Sequence, residues 1–463
     1  MGVYSVHTMS TTRRFVRTEI DDASLVYGVC KHPLTRGGVT IGSGEVLPEI
    51  KFTLPTMRIA EETMPEARAQ YREMLEGVCG RALELSQERL VVELELLPPM
   101  TANPRWGADV TAVVKEVMDR YRSQHGQKAL LRITAVDLRE SHGSGKREGQ
   151  DMENVLQTFE LCARAGADLL AIESIGGKEA TDKAVMEADL PGYVFGLLLA
   201  CADMEFLWSR IQAVAEKTGT VSSGDTACGF GNTAMVLADR HYTPKVFAAV
   251  VRTMTAVRSL VAYECGAVGP GKDCGYENPY LKAITGFPMS MEGKSAACAH
   301  LSCLGNIAGA YADLWSNESV QNVKLLSGMA PVVSMEQLIY DCRLFNAAAA
   351  DGQATRMRDW LVRSDAPRDV QAFILTPANV ATIAQTIVKS ADRYDALRKT
   401  AEVTLELIRR GCTDGAVSLP DKEQKWLSLT EDGLASLPAS AAELIATQAP
   451  AWSGTVDLHQ YGY

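Results

Sequence analysis

Apolar residues in this chain fall either into short, nearly continuous runs or into longer segments where they recur three or four positions apart. The first pattern is that of strands buried on both faces; the second is that of helices packed over them. Residues 90–97 (Leu-Val-Val-Glu-Leu-Glu-Leu-Leu), stopped by Pro98-Pro99, read as a strand on which Glu93 and Glu95 share one face. Residues 128–136 read as the next strand, ending at Asp137, and residues 168–174 as another that carries Glu173 near its end. A weaker run at 220–225 and the apolar run Ser259-Leu-Val-Ala-Tyr263 extend the series, and later strands are expected near Ser290 and Pro331. Helical spacing fills the intervals, at 65–90 (Tyr71, Met74, Val78, Leu83), 109–122, 151–164, from Gly177 to Lys217, 233–239 and 244–258.

Strand and helix in alternation imply a parallel sheet with right-handed crossovers. Five such units without a dinucleotide fingerprint favour an α/β fold of the (β/α)8 TIM-barrel kind over an open sheet. Residues 1–60, mixing Gly, Pro and Thr with little periodicity, are expected to form an irregular N-terminal extension wrapping the barrel. Residues 61–375 are expected to be the TIM-barrel catalytic domain. Residues 376–463, with Ile383, Ile387, Tyr394, Leu397, Val403 and Leu407 in helical register, are expected as added C-terminal α-helices.

Charge and composition remove several classes of function. The 46 basic and 57 acidic residues give a net charge of −11 with no basic block, which disfavours nucleic acid or an anionic membrane as partner. Residues 1–21 contain no apolar leader, and the longest apolar run, 193–202, is about half a membrane span, so a cytoplasmic protein is expected. The 11 cysteines show no framework spacing, as in a reducing compartment where thiols serve as apolar fillers, metal ligands or nucleophiles.

One of those thiols, Cys274, lies in a loop of glycines and proline at 266–278, just beyond the run at 259–263. With that run as a strand, Glu173, Cys228 and Cys274 fall at or just past the carboxyl ends of three successive strands, where barrel loops carry chemistry. Two thiolates and one carboxylate suit Zn2+ and leave its fourth tetrahedral position open, although the spacing alone fits buried apolar thiols as well. Glu93, Glu95 and Asp137 are candidate catalytic carboxylates lining the mouth, or else members of a salt-bridged rim. Asp225 and Asp273, beside the thiols, either hold hydrogen bonds behind the ligands or cap turns. Cys298-Ala-His300 reads as a packed thiol and a hydrogen-bonded histidine rather than a nucleophile with its base. Gly143-Ser-Gly-Lys-Arg147 lacks the first Gly and the closing Ser or Thr of a phosphate loop, since Glu140 and Arg147 stand there.

Several longer motifs carry a resemblance. Ile172-Glu-Ser-Ile-Gly-Gly-Lys-Glu179, Ser223-Gly-Asp-Thr-Ala-Cys228 with Asn232-Thr-Ala-Met235, the block 266–278, Lys282-Ala-Ile-Thr-Gly286, Met291-Glu-Gly-Lys294 with Cys298-Ala-His300, and Trp315-Ser-Asn-Glu-Ser319 resemble the zinc-containing methanol:corrinoid methyltransferase family. The likeness covers nearly the whole chain, from about Val26 to the C-terminal Gly462-Tyr463. It implies a TIM-barrel subunit with Glu173, Cys228 and Cys274 as zinc ligands, working with a separate corrinoid protein. It also implies methyl transfer from methanol to Co(I) of that partner's corrinoid, and a homodimer. No Asp-x-His-x-x-Gly motif is present, so the corrinoid is expected on another chain. The chain departs from the family at Ala227, where the methanol enzymes carry an acidic residue, and at Gly229-Phe230-Gly231, which leaves another small alcohol or a methoxy compound open as donor. Two other classes stay open on the residues alone: a zinc hydrolase on the same barrel, and a subunit that only scaffolds the corrinoid protein around a structural metal.

Overall fold

The structure is a computed structural model that describes residues 14–53, 57–139, 147–272, 276–320, 324–452 and 456–463. Seven strands lie parallel in one sheet: β3 (Leu47–Thr53), β4 (Arg89–Glu95), β5 (Lys128–Val136), β6 (Leu169–Glu173), β7 (Val221–Asp225), β8 (Ser290–Glu292) and β9 (Leu314–Val320). They are ordered β7-β6-β5-β4-β3-β9-β8. They follow an antiparallel hairpin of β1 (Val29–Arg36) and β2 (Val39–Ser43).

The open side of the sheet is closed by residues 268–271. Val268 and Gly269 donate to the carbonyls of Ser222 (3.1 Å) and Ser223 (2.9 Å) in β7. On the other edge Gly271 donates to Pro288 O, and Ser290 N donates to Gly271 O, both at 3.1 Å. This segment takes the eighth place in the wall, so the strands form a closed TIM-type barrel. Gly271 has no room for a side chain, because a Cβ there would lie 2.6 Å from both Tyr263 Oη and Met289 Sδ.

The longer helices packed around the strands are α1 (Met64–Glu84), α2 (Pro104–His125), α3 (Gln150–Arg164), α4 (Lys178–Glu187), α5 (Leu190–Thr218), α6 (Lys245–Glu264), α7 (Asn278–Thr285) and, after β9, α8 (Ala330–Ala350). After them come α9 (Ala354–Asp365), α10 (Pro377–Lys389), α11 (Arg393–Thr413), α12 (Asp421–Ala435) and α13 (Ala441–Trp452). Both α5 and α6 are long and apolar enough to cross a membrane, yet 83% and 100% of their apolar windows are buried inside the protein. They are core helices, covered by the barrel on one side and by α11 on the other; Thr404 of α11 donates to Thr253 of α6 at 2.9 Å.

Three sequence expectations are corrected. Residues 259–263 are not a strand but the last turns of α6, because a short apolar run cannot be told from part of a helix buried on all sides. Pro331 opens α8 instead of a strand, and the strand before it is β9, whose upper inward positions, Ser316 and Glu318, are polar. The first barrel strand, β3, lies inside the stretch read as irregular wrap, its pattern broken by Pro48, Glu49 and Lys51.

Alternate residues along each strand face the barrel interior, and their character changes with height. At the N-terminal end Leu47, Val91, Leu130 and Leu314 form an apolar layer capped by Val39 and Ile41 of the hairpin. One step higher, Glu49, Glu93, Arg132 and Ser290 are all fully buried. Arg132 Nε lies 2.9 Å from Glu49 Oε1, and Ser290 Oγ donates to Glu49. A further step brings Lys51, Glu95, Glu173, Glu292 and Glu318 to the carboxyl-end mouth.

Candidate functional site

The mouth is organised around a buried ammonium. Lys272, which directly follows the wall segment 268–271, has its Nζ 2.9 Å from Glu173 Oε1 and 3.3 Å from Glu93 Oε1. Glu93 also accepts from Thr134 Oγ1 on the neighbouring strand. Burying a lysine this deep is costly without anions beside it, and the two carboxylates are those anions. Glu173 is one-third exposed at the end of β6, whereas Lys272 and Glu93 are fully buried.

Cys228 stands on the adjacent strand end. It opens a π-helical turn, Cys228–Asn232, that follows β7, and its Sγ accepts from Asn232 Nδ2 at 3.5 Å. At Gly229 the Lys178 side chain lies close, its Cε 2.8 Å from where a Cβ would stand. Phe230 turns inward beneath the Arg258 guanidinium, 4.2 Å from ring centre to carbon.

Two buried side chains tie these strand ends together. Arg258 of α6 donates to Ser174 O (2.7 Å) and Oγ (2.6 Å), to Thr226 O (3.2 Å) and to Asp225 Oδ1 (3.3 Å). It therefore fixes the residue after Glu173 and the strand end before Cys228 as one unit. Asp225 also accepts from Trp208 Nε1 at 2.9 Å and from Ser174 N at 3.4 Å. Burial pushes the Asp225 carboxyl above its ordinary value while Arg258 pulls it down. Glu277 makes the second tie: its Oε1 accepts from Ala227 N and from Ser259 Oγ, both at 2.9 Å. Burial pushes the Glu277 carboxyl up as well. Asn278 closes the base of the loop by donating to Lys272 O (2.7 Å) and Ser290 O (2.8 Å).

Of the residues singled out in the sequence, Glu173 and Glu93 come together through Lys272, and Asp225 and Cys228 stand at the end of β7, the strand next to β6. Asp273 and Cys274 lie outside the described residues, between Lys272 and Tyr276. Glu95 pairs with Lys51 Nζ at 2.8 Å on the β3 side of the mouth. Asp137 belongs to a separate buried group, where Arg139 bridges it (2.7 Å) and Asp203 (2.8 Å). The Gly143-Ser-Gly-Lys stretch lies outside the described residues. Lys272, Glu277 and Glu292 lie within the motifs that carry the resemblance but have no role assigned there, and Arg258 lies outside those motifs.

The donor set suits a soft-tolerant divalent ion such as zinc. A partly exposed thiol and a partly exposed carboxylate stand on neighbouring strand ends, and a second thiol follows Lys272 by two residues. Among the described residues no group of three His, Cys, Asp or Glu side chains that could hold a metal assembles, and Cys274 lies outside them.

Comparison with known proteins yields three matches. The family model described as methanol-cobalamin methyltransferase B subunit matches residues 12–462. The methanol–corrinoid protein co-methyltransferase of Methanosarcina barkeri (strain Fusaro) is 38% identical over 421 residues, covering 89% of this chain and 90% of the relative. A chain in the crystal structure of the methanol:cobalamin methyltransferase complex MtaBC from Methanosarcina barkeri superposes with a TM-score of 0.93 at 35% identity, covering 98% of this chain and 100% of that one.

Proposed function

The chain belongs to the methanol-cobalamin methyltransferase B subunit family, and from that premise we propose that it transfers the methyl group of methanol to Co(I) of a corrinoid carried by a partner protein, with zinc held by Glu173, Cys228 and Cys274. The observation that carries the metal assignment is the junction at Lys272. Its ammonium touches Glu173, and the chain reaches Cys274 two residues later, so the loop that bears the second thiol starts at the carboxylate.

Zinc bound there supplies a Lewis acid for the negative charge that develops on the alcohol oxygen as its bond to carbon breaks. Lys272 orients Glu173 through Oε1 and balances the charge of Glu93 beneath it. Arg258 and Glu277 fix the flanking strand ends, so the donors are preorganised by fully buried side chains rather than by the loops alone. The apolar layer at the opposite end of the barrel closes the floor, leaving the mouth as the approach for alcohol and corrinoid. Ala227, the departure beside the thiol, is itself buried, and its N–H is met by the Glu277 carboxylate. Methanol as the donor is supported by the relative matched over nine-tenths of its own length, a methanol–corrinoid protein co-methyltransferase.

The test mixes zinc-loaded protein with a reduced corrinoid protein and a panel of donors. Loss of the Co(I) absorbance with methanol is expected. Loss only with a larger alcohol or a methoxy compound would overturn the substrate, and no loss with any donor would overturn the methyltransferase reading. Cys274→Ala is expected to lose stoichiometric zinc.

A further inference from the structure

On the reading that the chain demethylates methanol, a reaction whose leaving group is hydroxide, we propose that His300 is the acid that protonates the departing oxygen. Hydroxide leaves poorly, and the carboxylates nearest the candidate metal ligands are already engaged: Glu93 by Lys272 and Thr134, Asp225 by Arg258 and Trp208.

His300 caps the short helix Lys294–Ala299 that follows β8, which puts it on the mouth side of the barrel. Its Nδ1 lies 2.9 Å from Glu292 Oε1, a contact of ion-pair rather than aligned hydrogen-bond geometry. Nε2 points to the β9 side, 3.8 Å from Glu318 Oε2. Glu292 is almost fully buried, whereas the imidazole is 28% exposed, so the pair has a fixed inner end and an accessible outer one. The other oxygen of Glu292 accepts from Tyr276 Oη, and Tyr276 follows Cys274 by two residues. This contact joins the loop of the candidate metal site to the dyad without passing through bulk solvent.

The charged and titratable groups facing the imidazole among the described residues are Glu292 from β8, Glu318 from β9 and Lys51 from β3, with Tyr276 and Glu95 behind them. Glu292 dominates and raises the imidazole above its ordinary value, with Glu318 adding to the rise and burial and Lys51 opposing it. The imidazolium is therefore retained further into the neutral range than in a free histidine. In the step itself the Co(I) electron pair forms the cobalt–carbon bond, the carbon–oxygen bond breaks, and Nε2 gives its proton to the oxygen, which departs as water. The neutral imidazole then regains a proton from solvent.

The experiment follows Co(I) loss with methanol in wild type, His300→Gln and Glu292→Gln, each assayed for zinc content. For His300→Gln the account expects a fall of roughly 10²–10⁴-fold in rate at unchanged zinc stoichiometry, with partial rescue by added imidazole. The wild-type rate should fall as pH rises through the elevated imidazole value, and Glu292→Gln should move that fall to lower pH while keeping activity on the acid side. A His300→Gln rate within about threefold of wild type, or an alkaline fall that Glu292→Gln leaves in place, overturns the proposal. Failure of the wild type with every donor overturns the methyltransferase reading, and the acid role with it.

Discussion

The two ends of the barrel interior are built from the same alternating positions of the same strands, yet one end is hydrocarbon and the other is charge. At the floor, Leu47, Val91, Leu130 and Leu314 pack under the hairpin residues Val39 and Ile41. Two residues further along those strands stand Glu49, Glu93 and Arg132, and four further, at the mouth itself, Lys51, Glu95 and Glu318. The floor gains stability by removing apolar area from water. The mouth must meet every buried charge with another, and it does so through Lys272, Arg132, Lys51 and Arg258. Such a set is weak evidence for stability and stronger evidence for a site, because desolvated charge is costly unless something uses it.

Substitutions at the two ends should separate these roles. The largest effect is expected for Lys272→Met, which leaves Glu93 buried without its cation. Its denaturation midpoint should correspond to a loss of about 3–5 kcal/mol, accompanied by loss of zinc. Leu130→Ala at the floor should cost about 2–5 kcal/mol by the same measurement, and the folded fraction should bind zinc as wild type does. Equal zinc loss in both variants would erase the distinction between the ends.

Within the mouth, Glu277→Ala should weaken zinc about 10–100-fold in competition with a chelator, and Glu277→Gln, which keeps an acceptor for Ala227 N, should stay near wild type. The smallest effect is pH-dependent. His300 has a raised value when folded, so the stabilisation from its pairing with Glu292 is fully present below the ordinary imidazole value and is lost as pH rises through the raised one. Thermal melts of wild type and His300→Asn should therefore converge at alkaline pH, while wild type and Leu130→Ala keep a constant gap.

The sequence made the left half of this barrel legible and obscured the right. Strand β5 matches residues 128–136 because it is apolar, unbroken and bounded by turns, and α3 is legible from its periodicity and the glycine behind it. The wall segment 268–271 escapes such reading, being short and made of Val, Gly and Pro. Strand β9 escapes because its inward residues, Ser316 and Glu318, are polar for the sake of the mouth. The candidate site is legible as Glu173 and Cys228 at strand ends, whereas the apolar run at 259–263 that points to Cys274 is helix and not strand. Arg258, Lys272 and Glu277 were invisible as partners, since each acts on residues far away in the chain and only the closed barrel brings them together. The signal that could have found them is charge inside otherwise apolar surroundings: Arg258 amid the apolar α6, Lys272 in a glycine loop.

The central claim, that the mouth's charges assemble two thiolates and one carboxylate around a catalytic zinc, is tested most directly by X-ray absorption at the zinc edge of the loaded protein. The account predicts two sulfur neighbours at about 2.3 Å with the remaining ligands oxygen at roughly 2.0–2.2 Å. In Cys228→Ser one sulfur should disappear. A zinc shell of four sulfurs, or one without sulfur, would contradict the assignment.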